Sequence, residues 1–233
     1  KYLSQWFFKI TDYAERLLDN LDTLDGWPNK VKIMQRNWIG KSHGAEVEFK
    51  IKDRDETLTV FTTRVDTIFG TTFMVLAPEY PTVLDMVEGT EYEAPVKEYI
   101  DRCAHMNEIE RTSTANEKTG VFIGQYAVNP FTGKPMPIYI SDYVMMGYGT
   151  GAIMAVPAHD TRDYEFAQKF GIDIIEVIKG GDISKEAYTG DGEMINSGVL
   201  NGIKTKQEAI SKMIEILKEK GCGEKGLQYK MKD

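Results

Sequence analysis

Two short segments hold most of the residues that could perform chemistry. The first, 61–67 (FTTRVDT), places three threonine hydroxyls, one guanidinium and one carboxylate at the end of a β-like run. The second, 148–163 (YGTGAIMAVPAHDTRD), combines a glycine-rich turn, an apolar run and an acidic helix start. Structural roles could also explain these residues, because Asp66 suits an Asx-type turn, Asp160 a helix N-cap and Asp163 a first helical turn. The residue types therefore predict a polar, carboxylate-bearing cleft between two strand ends and leave its substrate open.

Signatures of metal and cofactor chemistry are missing from the sequence. The three histidines, His43, His105 and His159, have no partner at metal-ligand spacing. There is no G-x-S-x-G motif and no glycine loop followed by Lys-Ser/Thr. The string 147–151 (GYGTG) superficially resembles a dinucleotide fingerprint, but it lacks the third glycine and precedes a predicted strand rather than a helix. We therefore expect no metal or cofactor, and a non-catalytic nucleotide-binding module is the alternative from a different class.

The overall composition restricts the class of protein. The chain has 233 residues, 42% hydrophobic and 27% charged, as in ordinary globular proteins. No run approaches the ~20 apolar residues of a membrane span, and no leader is recognisable. Cys103 and Cys222 show neither a disulfide pattern nor a zinc pattern. We therefore expect a cytoplasmic protein that does not contact a membrane. A net charge of −8 argues against a conventional nucleic-acid binder. If RNA is the substrate, this site should handle only its tip.

The elements that must position these segments are mainly short strands. Runs rich in β-branched and aromatic residues predict strands at 45–51, 57–62, 73–77, 120–128, 136–140 and 152–156. Periodicity predicts helices at 4–21, 79–88, 94–105, 161–170 and 205–221, with a connector over 31–42. Gly171 and Gly221 should end two helices, and Thr205 with Glu208 should form a capping box. Because strands do not alternate strictly with helices, we predict an α+β fold with a barrel-like mixed β core decorated by helices.

The same two segments carry a family resemblance. TTRVDT (62–67) resembles the threonine-rich editing peptide of class I synthetases for branched aliphatic amino acids, and 149–167 (GTGAIMAVPAHDTRDYEFA) is similar to the second editing motif of the leucine enzyme. The flanking strings at 34–44, 117–133 and 189–202 agree. The chain thus resembles the editing domain (connective-polypeptide insert) of bacterial-type leucyl-tRNA synthetases. Asp66 and the second motif favour this family over the valine and isoleucine editing domains, which are the nearer alternatives.

The resemblance implies a piece of a larger enzyme. We expect residues 1–41 to be a helical segment and connector from the synthetase body, 42–226 the editing domain and 227–233 the return connector. The chain lacks the H-x-G-H and K-M-S-K-S-type signatures, so ATP and Mg would belong to the parent enzyme and this domain would need no cofactor. The expected partners are the 3′ CCA end of tRNA(Leu) and the remainder of the synthetase chain, with the enzyme a monomer.

The resemblance also implies a reaction and residue roles. The reaction is hydrolysis of the ester that joins isoleucine, norvaline or methionine to tRNA(Leu). Asp163 would bind the α-ammonium of the misattached amino acid through a charge-assisted hydrogen bond, and Thr67 would be a steric gate against leucine. Thr62 and Thr63 would hydrogen-bond the ribose, the carbonyl or the attacking water. Arg64 would support the peptide or approach a phosphate.

The remaining positions of the implied site are walls and supports. Met154 and Val156 resemble the apolar wall opposite the gate, although ordinary strand burial also explains them. The implied adenosine-binding wall consists of Met145, Met146 and Tyr148, and the tyrosine could equally be a packed aromatic in a turn. The implied substrate-binding set also includes Asp66, His159 and Asp160. His159 could act as a general base, but we expect it to be structural. Val65 departs from the family's usual proline and removes a rigid φ constraint.

Overall fold

The chain divides into two compact units. The computed structural model describes residues 4–107, 110–111, 117–147 and 149–232. One unit is formed by Lys1–Gly44 with Gly226–Asp233, and the other by Ala45–Lys225. None of the helices among the described residues has the length and apolar character needed to span a bilayer.

The smaller unit is helical. A 3-10 helix, Ile10–Tyr13, leads into α1 (Ala14–Leu21). The prediction of one helix over 4–21 is wrong in its first part, because residues 4–9 are not helical. Trp6 is fully exposed there, so the apolar periodicity is not supported by the packing that stabilises a short helix. The core of this unit consists of Ala14, Leu21, Ile39 and Met231.

A second helix, α2 (Asn29–Ile39), lies where the sequence predicted a connector. It begins after Pro28, whose φ is −58°, and ends at Gly40 in the left-handed conformation with φ 62°. Only Ile39 is buried along its length. The connector prediction is therefore wrong, and the reason is that this helix has no broad apolar stripe to reveal its period.

Most residues of a mixed, seven-stranded sheet belong to the larger unit. Its strands are β1 (Lys41–Ile51), β2 (Thr57–Thr62), β3 (Phe73–Leu76), β4 (Val121–Val128), β5 (Pro135–Ile140), β6 (Ala152–Ala155) and β9 (Gly223–Tyr229). Six of them follow the order β2-β1-β4-β5-β3-β6, and β9 pairs with β1 outside this path. The β3–β5 pair is parallel, whereas β1–β2, β1–β4, β4–β5 and β3–β6 are antiparallel. All six predicted strands are confirmed, with bounds shifted by a few residues at most.

The sheet curls so that its two ends meet. β2 and β6 end the strand path, yet they lie in contact. In the described residues no ladder joins them, so the sheet is not a closed barrel. The α+β prediction is confirmed, with "barrel-like" holding only in this loose sense. The gap between β2 and β6 is where the two chemistry-bearing segments meet.

Helices cover the sheet at the positions that the sequence predicted. They are α3 (Val83–Val87), α4 (Glu93–Ala104), α5 (Thr161–Phe170) and α6 (Lys206–Lys220). Gly171 and Gly221 end α5 and α6 with φ 65° and 63°, as predicted. Thr205 is the N-cap of α6, but the capping box is wrong because its hydroxyl contacts the Glu208 carboxylate at 3.4 Å instead of a backbone N–H.

Three strands were not predicted. β7 (Ile178–Lys179) and β8 (Glu193–Met194) form a separate two-residue ladder. They are too short for any alternation to be visible in the sequence. β9 reads GEKGLQY, in which glycines and charges hide the strand.

Candidate functional site

A cavity of about 240 Å³ opens between the facing ends of β2 and β6. Its floor and walls come from the end of β2, the 3-10 helix Val65–Gly70, β6 and the start of α5. The lining residues are Val60, Phe61, Thr62, Thr63, Arg64, Thr67, Ile153, Met154, Val156, His159, Asp160, Arg162 and Asp163. The curl of the sheet therefore brings together the two segments that the sequence singled out.

Asp163 is the most unusual group in this cavity. Its side chain is buried, with only 4% of the residue exposed. One carboxylate oxygen accepts a hydrogen bond from the Tyr143 hydroxyl at 3.0 Å, and the other accepts one from the Val156 backbone N–H at 2.9 Å. Both donors are neutral, so they hold the carboxylate in place without cancelling its charge.

Burial dominates the protonation of Asp163. It raises the pKa of this carboxyl to about 7, and the like charge of Asp160 acts in the same direction. The hydrogen bonds from Val156 and Tyr143 and the charge of Arg162 oppose the increase. At neutral pH the group therefore stands near its titration midpoint, and a nearby cation would shift it towards the ionised form.

The two arginines of the cavity are already paired. Arg64 binds Asp66 through Nε–Oδ1 and Nη2–Oδ2 at 3.1 and 2.9 Å. Arg162 binds Asp160 in the same two-bond manner at 3.3 and 3.0 Å. Although burial opposes ionisation, the hydrogen bonds and charge of Arg162 lower the pKa of Asp160. Among the described residues no Lys or Arg forms an ion pair with Asp163. Of the two carboxylates that line the cavity, Asp160 is therefore paired with a cation and Asp163 is not.

Asp160 also has the capping role that the sequence allowed. Its carboxylate accepts hydrogen bonds from the backbone N–H groups of Arg162 and Asp163 at the start of α5. Asp163 lies in the first turn of that helix. Because its carboxylate is bound to Tyr143 and Val156 instead of the helix terminus, helix capping does not account for Asp163.

The threonine-rich segment forms the opposite rim. The Thr62 hydroxyl accepts the Arg64 backbone N–H at 3.0 Å. The Thr67 hydroxyl donates to the Arg64 carbonyl at 2.8 Å, and the residue is 2% exposed. Thr63 is exposed at the cavity mouth. Val65 is buried as the first residue of the 3-10 helix.

His159 lines the cavity, but both of its ring nitrogens are in use. Nδ1 lies 2.8 Å from the Tyr188 carbonyl, and Nε2 accepts the backbone N–H groups of Val177 and Ile178, each at 3.0 Å. This pattern requires the neutral ring with its proton on Nδ1. Burial lowers the pKa of His159 below its ordinary 6.5. These bonds suit a structural residue better than a general base.

The predicted site residues are not all gathered in the cavity. Asp66 is buried behind it as the partner of Arg64. Met154 and Val156 line it at 7% and 6% exposure. Met145 and Met146 precede β6 and lie outside the lining. Tyr148 lies outside the described residues.

Sequence reasoning missed several residues of the site. Phe61, Ile153 and Arg162 line the cavity and stand inside the two segments, so their neighbours could have indicated them. Tyr143 contacts Asp163 from the loop after β5. No local pattern points to it, because the contact is made only when the chain folds.

A second cavity of about 470 Å³ contrasts with the first. It is lined by aromatic and proline side chains together with Lys134 and Asp173. The Oγ1 atoms of Thr71 and Thr72, which also line it, are buried without a partner in the described residues. Charged side chains converge in the smaller cavity, which is therefore the candidate site.

No group of three or more His, Cys, Asp or Glu side chains in the described part of the chain could hold a metal ion.

The described residues thus form a curled mixed sheet with a small cavity, an apolar wall and a buried carboxylate that has no Lys or Arg ion-pair partner. A family model described as "Leucyl-tRNA synthetase, editing domain" matches residues 36–218. The chain belongs to this family.

A solved structure supports the same assignment. The chain is similar to the agnB2 LeuRS of Agrobacterium radiobacter K84, determined as a ternary complex with tRNA and LeuAMS. The sequences are 37% identical and the TM-score is 0.80. The match covers 98% of this chain and 25% of that chain, so the chain spans a quarter of that relative's length.

Proposed function

We propose that this domain proofreads tRNA(Leu) by hydrolysing the ester of a wrongly attached isoleucine, norvaline or methionine. The observation that carries the proposal is the Asp163 carboxylate, which is buried in a small cavity and, among the described residues, hydrogen-bonded only to neutral donors. The α-ammonium of an aminoacyl ester supplies the cation that this carboxylate lacks. Its arrival favours the ionised carboxylate and forms a charge-assisted hydrogen bond.

The remaining lining suits an aliphatic amino acid. Ile153, Met154 and Val156 form an apolar wall, and Thr67 stands on the facing segment. One methylene changes binding by only about 1–3 kcal/mol, which is why a second, hydrolytic sieve is useful after aminoacylation. Thr67 is held rigidly by its bond to the Arg64 carbonyl, so it can act as a steric gate against the leucine side chain.

The proposed reaction is direct attack of water on the ester carbonyl. The oxygen of water bonds to the carbonyl carbon, the bond from that carbon to the ribose oxygen breaks, and the ribose oxygen takes a proton from water. The products are the free amino acid and the tRNA with its terminal hydroxyl restored. Thr62 and Thr63 hydrogen-bond the carbonyl, the ribose or the water, and the ribose's other hydroxyl assists. Catalysis then rests on positioning and hydrogen-bond polarisation, with no side chain as nucleophile.

The terminal adenosine enters from the cavity mouth. By family resemblance, Met145, Met146 and Tyr148 form its wall. Met146 is 39% exposed and is available to pack against a base. Arg64 is tied to Asp66, so its main task is to support the threonine segment.

The wider partners follow from the same proposal. The LeuRS relative was solved with tRNA, and we propose that this domain meets the 3′ CCA end while the rest of a monomeric, cytoplasmic synthetase holds the tRNA body and uses ATP and Mg. The net charge of −8 agrees with contact to the tip alone. Residues 42–226 would be the editing domain, with connectors on both sides.

The test is deacylation of isoleucyl- and leucyl-tRNA(Leu), both by the chain at high concentration and by a leucyl-tRNA synthetase that carries this domain. We expect release of isoleucine with little release of leucine. The Asp163→Ala variant should lose the activity, while Asp173→Ala, at an exposed aspartate of the second cavity, should keep it. Equal hydrolysis of both esters, or a fully active Asp163→Ala synthetase, would refute the proposal.

A further inference from the structure

Tyr143 lies directly behind the candidate site. It belongs to the loop between β5 and β6, is 8% exposed, and is not among the residues that line the cavity. Its ring packs against Phe166 of α5 at a centroid distance of 6.1 Å, and the Arg162 guanidinium lies 6.0 Å from the ring centre. Tyr143 is therefore fixed by the same helix that presents Asp163.

The hydroxyl of Tyr143 completes a two-point support for a single carboxylate. It donates to Oδ1 of Asp163 at 3.0 Å, while the Val156 N–H donates to Oδ2 at 2.9 Å. The two donors come from different elements, so together they fix both the position and the plane of the carboxyl group. Each oxygen has a second lone pair left to accept a hydrogen bond from a ligand in the cavity.

We propose that Tyr143 is a positioning residue of the editing site, which orients the Asp163 carboxylate for the α-ammonium. This inference rests on the proposed function for its biological meaning. Tyr143 does not touch the substrate; it acts through Asp163.

The electrostatic surroundings support this role. Burial, followed by the charge of Asp163, raises the pKa of Tyr143 well above 10, so the phenol stays protonated and remains a donor. The hydrogen bond from Tyr143 lowers the pKa of Asp163, as do the Val156 N–H and the charge of Arg162, whereas burial and Asp160 raise it. Removing the hydroxyl deletes one of the forces that keep the carboxylate ionised. The pKa of Asp163 should then rise above its value of about 7.

The Tyr143→Phe variant tests the inference with Tyr164→Phe as a matched control. Tyr164 is the next residue after Asp163 and is 5% exposed, but its hydroxyl donates to the Ile183 carbonyl at 3.1 Å. We expect Tyr143→Phe to lower kcat/KM for isoleucyl-tRNA(Leu) roughly 10- to 100-fold at neutral pH, as for loss of a hydrogen bond to a charged group. The acidic limb of its pH profile should move to higher pH, so that the defect shrinks as pH rises.

The Tyr164→Phe control and the pH profiles distinguish loss of the bond to Asp163 from a general loss of packing around a buried tyrosine. Tyr164→Phe should keep the wild-type acidic limb. A Tyr143→Phe profile superimposable on wild type, or a loss of the same factor at every pH, would overturn the inference.

A second readout does not depend on activity. The side-chain carbon signal of Asp163, assigned by comparison with Asp163→Asn, can be titrated by NMR in the wild-type chain and in Tyr143→Phe. We expect a higher pKa for Asp163 in the variant, and an unchanged pKa would overturn the inference. If the wild-type synthetase released no isoleucine, the proposed function would fail, and this titration would still decide whether Tyr143 controls Asp163.

Discussion

Arg64 and Asp66 form a two-bond ion pair across one intervening residue, with Nε–Oδ1 and Nη2–Oδ2 distances of 3.1 and 2.9 Å. The Asp66 side chain is 1% exposed and that of Arg64 26%. The pair lies at the junction between the end of β2 and the 3-10 helix, and Thr67 of that helix lines the cavity. The ion pair is therefore part of the shape of the site.

Breaking the Arg64–Asp66 pair should lower the free energy of unfolding. Asp66→Ala leaves the half-buried guanidinium without its partner, and we expect a loss of about 1–3 kcal/mol in the free energy of unfolding. Arg54 and Glu56 form a pair with the same sequence spacing, but the Glu56 side chain is 47% exposed where that of Asp66 is 1% exposed, so Glu56→Ala should change stability by less than about 0.5 kcal/mol. Chemical denaturation measures both variants. Equal losses of stability in Asp66→Ala and Glu56→Ala would show that the Arg64–Asp66 pair stabilises the fold no more than a surface pair does.

The Thr67→Ala variant should lose selectivity. Removing the side-chain atoms that reach the cavity makes room for the leucine side chain, and the rate of leucyl-tRNA(Leu) hydrolysis should rise roughly 10- to 100-fold. Thr72→Ala, in the second cavity, should leave this rate unchanged. The measurement is release of radiolabelled leucine by the synthetase that carries the domain. Unchanged leucine release in Thr67→Ala would remove the gate assignment.

His159 should prove structural. In His159→Gln the amide oxygen can accept the N–H groups that now bind Nε2, and the amide nitrogen can donate to the Tyr188 carbonyl. We therefore expect isoleucyl-tRNA(Leu) hydrolysis within about threefold of wild type, whereas loss of a general base costs about 10²–10⁴. A loss in that range by a variant with a normal unfolding transition would make His159 catalytic.

The buried Asp163 carboxyl should make stability depend on pH. Its pKa is raised to about 7 in the fold from 3.8. The folded state therefore holds a proton that the unfolded state has released, and this contribution to stability is complete below the unfolded pKa and is lost as pH rises through the folded pKa.

Asp163→Asn removes this titration. As the pH rises from about 5 to about 8, wild type should lose roughly 2–3 kcal/mol of stability that Asp163→Asn keeps, so the stability of the variant relative to wild type should rise by that amount. Denaturant unfolding of both proteins at the two pH values gives this difference directly. A stability difference that does not change with pH would mean that Asp163 is not titrating in this range.

The sequence predicted those features that local patterns encode. Each of the six strands on the main path is a compact run of β-branched or aromatic residues, so its place was visible. Gly171 and the Asp160 cap marked α5 for the same reason, since capping chemistry is local. These elements bring the two polar segments to one cavity.

Other features depend on contacts that no local pattern reveals. α2 buries only Ile39, so its apolar periodicity is weak. Residues 4–9 have apolar periodicity without burial, and a helix was wrongly predicted there. The bond from Tyr143 to Asp163 joins two elements distant in sequence. For the same reason, only the folded structure shows that no described Lys or Arg forms an ion pair with Asp163.

The central claim is that Asp163 anchors the α-ammonium of an amino acid esterified to tRNA(Leu). The most direct measurement compares hydrolysis of isoleucyl-tRNA(Leu) with that of N-acetyl-isoleucyl-tRNA(Leu), in which the ammonium is absent and the ester is intact. The account predicts that the wild-type synthetase cleaves the first substrate and leaves the second nearly untouched, while Asp163→Asn is slow on both. Equal cleavage of the two esters by the wild-type enzyme would contradict it.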